Sequence, residues 1–189
     1  MTQESHKMQN DFDLLKQRIV ELEGKVALLD DIEALRRLRM TYHDYVNEGR
    51  WAEIADLFTP DATIDFGYVA IMKGREDIIE QFVDIPNHTD MLKQFIHNHV
   101  VEVDGNTAKG FLYLEAKYAD KGESLFVAGK ITDQYVRVDD QWFIQDTITH
   151  LYFTTPLSQG WAVPNPHYLR GGTDNRSKLE LSQKVSDTD

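Results

Sequence analysis

The stretch from Phe95 to Tyr118, FIHNHVVEVDGNTAKGFLYLEAKY, decides the fold. It reads as two long strands joined at Asp104-Gly105-Asn106, because Gly and Asn tolerate the positive φ of a tight hairpin turn. Side chains two apart on a strand share a face. His97 and His99 are therefore expected side by side, on the face that carries Phe95, Val101 and Val103. Two imidazoles among apolar neighbours on an inward face are the strongest chemical signal in the chain. What they meet depends on register. A three-residue loop, Asp104 to Asn106, sets Tyr113 across from His97 and Glu115 across from Phe95, whereas a two-residue loop brings Leu112 or Leu114 to that place.

Downstream, Ser124 to Val138 and Gln141 to His150 or beyond read as two more strands, turning at Asp139-Asp140. Alternation on the last strand puts Asp146 and His150 on one face with Trp142, Ile144, Ile148 and Tyr152, either inward or toward a partner subunit. Upstream, Ala62 to Tyr68 alternates as a strand, Gly74 to Val83 is an amphipathic helix, and Ile85 to Gln94, with Pro86, reads as a loop, with or without a helical turn. A helix capped by Asp30-Asp31 carries the stripe Ile32, Leu35, Leu38, Tyr42, Tyr45 and Val46, with Arg36, Arg37 and Arg39 mostly solvated, and stops at Asn47-Glu48-Gly49. A short helix with Trp51, Ile54, Leu57 and Phe58 inward follows.

Before it, Met8, Phe12, Leu15, Ile19, Leu22, Val26 and Leu29 alternate by four and three, a heptad seam. Residues 1–29 are thus expected to be an oligomerisation helix, for a dimer or trimer, ahead of a domain over 30–168 that ends in the irregular arm Thr154 to Tyr168. A polar tail over 169–189 is expected to be disordered. Helices followed by long antiparallel strands specify an α+β fold, a curved antiparallel sheet wrapped over helices as a cone, whose interior is a natural pocket.

Composition narrows the partners. The 189 residues are 41% hydrophobic and carry a net charge of −12, which opposes nucleic acid and an anionic membrane surface. No apolar run approaches the roughly 20 residues of a membrane span, and no signal peptide is visible. The absence of cysteine excludes disulfides and thiolate chemistry, and fits a cytoplasmic location.

The helix–strand order, LFTPDATIDFG (Leu57 to Gly67) and GKITDQYVRVDDQWFI (Gly129 to Ile144) resemble the SnoaL-like branch of the nuclear transport factor 2-like superfamily. Within it, bile-acid dehydratase, scytalone dehydratase and hexachlorocyclohexane dehydrochlorinase are the nearest in pattern, and ITHLYFTTPL (Ile148 to Leu157) resembles the dehydrochlorinase end. The resemblance implies a dehydratase-like lyase that needs no cofactor and acts by histidine-mediated proton abstraction on a hydrophobic cyclic molecule such as a steroid, terpenoid or polyketide. Isomerisation or cyclisation needs the same proton abstraction. His97 matches the position of the general base and Tyr42 that of a pocket tyrosine, while Asn47 stands where those relatives pair an aspartate with the histidine. An amide orients an imidazole but brings no charge to stabilise an imidazolium. A non-catalytic binding protein is the alternative that Asn47 raises. His99, Tyr113, Glu115, His150 and Trp161 are the expected substrate contacts. A metal would need His97 and His99 to converge with a third ligand, for which Glu115 and His150 are available.

Overall fold

A computed structural model describes residues 3–67 and 69–162 of the chain. It opens with one unbroken helix, α1 (Gln3–Glu48), of 46 residues. A 3₁₀ segment (Trp51–Leu57) leads to β1 (Phe58–Asp65), β2 (Ile71–Lys73), α2 (Gly74–His88) and four long strands. These are β3 (Met91–Asp104), β4 (Thr107–Asp120), β5 (Glu123–Val138) and β6 (Gln141–Pro156). They form one six-stranded sheet in the order β2-β1-β6-β5-β4-β3. All neighbours are antiparallel except β1 and β6. The curved, unclosed sheet wraps over α2 and the C-terminal half of α1. The expected α+β cone is therefore present. No helix among the described residues is long and apolar enough to cross a membrane.

The two expected N-terminal helices are one. Asp31 does not cap a new helix; it stays inside α1 and accepts from Arg137 Nη1 (2.7 Å) and Trp142 Nε1 (2.9 Å). Those bonds fasten α1 to the β5–β6 turn, and the cone contacts begin there. The stop at Gly49 is as expected. With φ +70°, Gly49 donates to the Val46 carbonyl and Arg50 to that of Tyr45, closing the last turn of α1. The expected loop from Ile85 to Gln94 is mostly regular structure: α2 continues through Pro86 to His88, and β3 begins at Met91. The arm after Thr154 is strand to Pro156, and its part beyond Ala162, like the expected tail, lies outside the described residues.

Register holds the main correction. The β3–β4 turn has two residues, Gly105 and Asn106, since Asp104 pairs with Thr107. Yet His97 pairs with Tyr113, as a three-residue loop would require. A one-residue β-bulge reconciles the two. Asn98 and His99 face a single β4 residue, and Asn98 takes φ +53°. The bulge reverses the parity of the strand: Leu92, Gln94 and Ile96 are covered before it, His99, Val101 and Val103 after it. His97 and Phe95 consequently lie on the outer face, exposed, and His99 on the inner one. The two imidazoles sit on opposite faces and do not converge on an ion. Two further bulges, at Gln145 and Tyr152 of β6, act alike. The one at Gln145 turns Thr147, Thr149 and Leu151 inward, so that His150 and Ile148 face out, away from Trp142 and Ile144, and the one at Tyr152 turns Thr154 inward.

Candidate functional site

Inside the cone, α1, α2 and the sheet leave a cavity of about 460 Å³. This lies within the range of small-molecule sites, roughly 300–1,000 Å³. Most of the wall is apolar, with Val46 from α1, Phe82 from α2 and Leu114, Ile131 and Leu151 from the sheet. Leu114 and Ile131 point inward by the alternation of β4 and β5, and Leu151 because the bulge at Gln145 resets the parity of β6. Tyr42 and Gln94 supply polar groups from α1 and β3, and Thr149 and Thr154 from β6. The Thr149 hydroxyl is buried without a hydrogen-bond partner among the described residues, an arrangement that costs free energy unless a ligand or water meets it. At the mouth, His88 Nε2 lies 2.6 Å from Asp84 Oδ2, and both side chains line the cavity. Asn87 also donates to Asp84, and these two partners hold the carboxyl below its ordinary pKa.

Behind Tyr42 lies a polar cluster that spacing along α1 did not disclose. Arg39, expected in solvent, is fully buried, and so is Asp133 on β5, with Arg39 Nε 3.2 Å from Asp133 Oδ2. Asp133 accepts from Tyr135 (2.7 Å) and Thr147 (2.8 Å), and Tyr135 Oη is 3.1 Å from His99 Nε2. The guanidinium also sits 4.4 Å from the centroid of the Tyr42 ring. Burial pushes the Tyr42 phenol up to about 12, against the opposing pull of Arg39. His43 is buried beside Tyr42, its Nδ1 2.9 Å from Gln94 Oε1. Burial first, and the Arg39 charge second, hold His43 well below the ordinary histidine value; burial lowers His99 to about 4. At neutral pH this end of the cavity offers a neutral phenol, with the neutral imidazoles of His43 and His99 packed behind it.

The expected constellation divides. Tyr42 lines the cavity. Asn47 is a clamp: its Nδ2 donates to the Gln94 carbonyl (2.8 Å) and its Oδ1 accepts from the Gln94 N–H (2.6 Å), while Lys93 reaches its carbonyl. The side chain of β3 that meets the end of α1 is thus Gln94, not His97. His97 pairs across the outer face with Tyr113, 3.9 Å from Glu115, in the solvent. His150 shares that outer face, beside Lys130. Trp161 is exposed and packs on Phe126 and Phe153. His99 faces inward but belongs to the Asp133 cluster. The sequence does hold one sign of the β3 bulge, because apolar doublets, Phe95-Ile96 and Val100-Val101, flank His97-Asn98-His99 and cannot both satisfy a single alternation.

A family model described as a SnoaL-like domain matches residues 27–148. The chain belongs to the SnoaL-like family. An uncharacterized protein of Mycobacterium tuberculosis is 28% identical over 123 residues, covering 63% of this SnoaL-like chain and 84% of that protein. Among solved structures, a scytalone-dehydratase-like protein from Novosphingobium aromaticivorans superposes with a TM-score of 0.64 at 19% identity, covering 77% of this chain and 97% of the other. A hexachlorocyclohexane dehydrochlorinase from Novosphingobium barchaimii gives 0.64 at 18% identity, covering 72% and 97%. At such identities these likenesses establish the fold that the SnoaL-like chain shares with them.

Proposed function

We propose that this SnoaL-like chain binds a hydrophobic cyclic small molecule, of steroid, terpenoid or polyketide type, inside the cone. The observation that carries the reading is the apolar cavity of about 460 Å³ with Tyr42, Gln94 and the unpartnered Thr149 hydroxyl in its wall. Neutral hydrogen-bonding groups suit a hydroxyl or carbonyl on the ligand rather than a carboxylate, because the Arg39 charge is offset by Asp133 and Arg39 does not line the cavity. The test is binding of Nile red and of a panel of sterols and polyketide phenols. Ala116 is buried in the cavity wall, so Ala116→Phe should weaken binding at least tenfold, while His97→Ala on the outer face should leave it within twofold. Unchanged affinity in Ala116→Phe would refute the site.

A second reading, a lyase or isomerase that needs no cofactor, is favoured by the His88–Asp84 pair at the mouth. A carboxylate accepting from one imidazole nitrogen fixes the tautomer and leaves the other nitrogen as proton acceptor, within the reach of general base catalysis. On this reading Tyr42 donates to the oxygen that develops charge or departs. His88→Gln and Asp84→Asn should then abolish turnover of an identified substrate while binding persists. Full turnover in both variants would exclude this pair as the base.

A further inference from the structure

The N-terminal half of α1 stands clear of the cone. Residues 6 to 30 are all exposed, and the segment from Gln3 to Asp30 spans about 40 Å at 1.5 Å per residue. It carries the seam Met8, Phe12, Leu15, Ile19, Leu22, Val26 and Leu29, between 48% and 72% exposed. Helices in water draw most of their stability from packing an apolar face, and among the described residues that face meets nothing outside its own helix.

We propose that this segment pairs with a second copy of the chain as a parallel, in-register, two-stranded coiled coil. Four observations agree. First, Ile19 and Val26 occupy a positions and Leu15, Leu22 and Leu29 d positions, the distribution that favours parallel dimers. Second, the flanking charges are complementary at each step. With Phe12 at a, the g residues are Asp11, Arg18 and Lys25, and the e residues five further on are Lys16, Glu23 and Asp30. A parallel dimer therefore sets Asp11 against Lys16, Arg18 against Glu23 and Lys25 against Asp30 between chains, all of opposite sign. An antiparallel pair would set Arg18 against its own copy.

Third, the seam ends where the cone begins. The next a and d positions are Glu33 and Arg36, and the Asp31 bonds to Arg137 and Trp142 lie just there. Fourth, the seam points away from its own cone. At roughly 100° per residue, its mean direction lies about 170–230° around the helix from Leu35, Arg39, Tyr42 and Val46, which face the cone. A second helix can lie along the seam without meeting the sheet. Gly24 falls at f, opposite the seam, where a side chain would pack on nothing, and a Cβ there meets no atom within 4 Å. The two cones then hang from the same end of the coil, with their cavities on separate subunits.

Sedimentation of the full chain at micromolar concentration should give a dimer, and Leu15→Glu combined with Leu22→Glu a monomer whose cone melts unchanged. Glu23→Lys and Arg18→Glu should each weaken self-association roughly tenfold, since each turns two attractive contacts into repulsive ones. Their equimolar mixture should restore pairing, because the mixed dimer has both contacts attractive. The chain has no cysteine, so Met8→Cys should form a disulfide-linked dimer on oxidation. The proposal fails if the parent chain is monomeric or trimeric, or if the Leu15/Leu22 double variant stays dimeric. It fails too if Met8→Cys cross-links only to Leu29→Cys, or if the charge variants do not complement.

Discussion

The Arg39–Asp133 pair is the point where the structure makes its most exacting energetic claim. Both side chains are fully buried, and Arg39 Nε lies 3.2 Å from Asp133 Oδ2. At an effective dielectric near 20 two unit charges at that separation attract by about 5 kcal/mol. Most of this repays desolvation, so the pair as a whole contributes little, but breaking it leaves a bare charge in the core at a cost of about 3–5 kcal/mol. Asp133→Asn should therefore destabilise the cone by about 3–5 kcal/mol, because Arg39 has no second carboxylate partner among the described residues. Arg39→Met should cost about 3 kcal/mol, since Tyr135 and Thr147 still donate to Asp133. The double variant holds neither charge and should lose well under the sum of the two. A coupling energy of about 2–4 kcal/mol is expected. The assay is urea unfolding of the four proteins at one fixed protein concentration, because association would otherwise shift apparent stability. Losses that add within about 0.5 kcal/mol would refute the coupling, and with it the role of the pair in fixing α1 and the Tyr42 ring against β5.

Acid should destabilise the cone earlier than its carboxylates alone would. Above about pH 6.5 His43 and His99 are neutral both folded and unfolded; below it the unfolded chain takes up protons that the folded one refuses, so stability falls as pH drops from about 6.5 toward about 4. The slope is up to about 1.4 kcal/mol per pH unit for His43 and smaller for His99, which solvent partly screens. His43→Gln and His99→Gln should each flatten a pH series of urea midpoints, and an unchanged slope in both would contradict the buried neutral imidazoles. At the β3 bulge, Asn98 has φ +53°, which Gly adopts freely and β-branched residues resist. Asn98→Gly should stay within about 0.5 kcal/mol and Asn98→Val should cost about 1–3 kcal/mol, whereas equal stability of the two would argue against the left-handed bulge.

Local chemistry was enough to read the hairpin, the long strands, the Gly49 stop and the heptad seam from the sequence. Each rests on spacing or on a residue's own backbone preference, and neither needs a distant partner. The interior of the cone was not legible in that way. One extra residue at Asn98, and others at Gln145 and Tyr152, exchange the faces of whole strand segments, and a period-two pattern cannot say where the count slips. Thus His97 and His150, which alternation made inward candidates, lie outside, and Gln94, Thr149 and His99 lie within. Arg39 follows the same logic. On α1 alone it is one arginine among three near solvent, and only Asp133, brought over it by the curvature of the sheet, makes its burial tolerable. Sequence by itself determined the cone and the seam. Tertiary structure decided which side chains the cone encloses, because enclosure depends on register between strands that propensity does not encode.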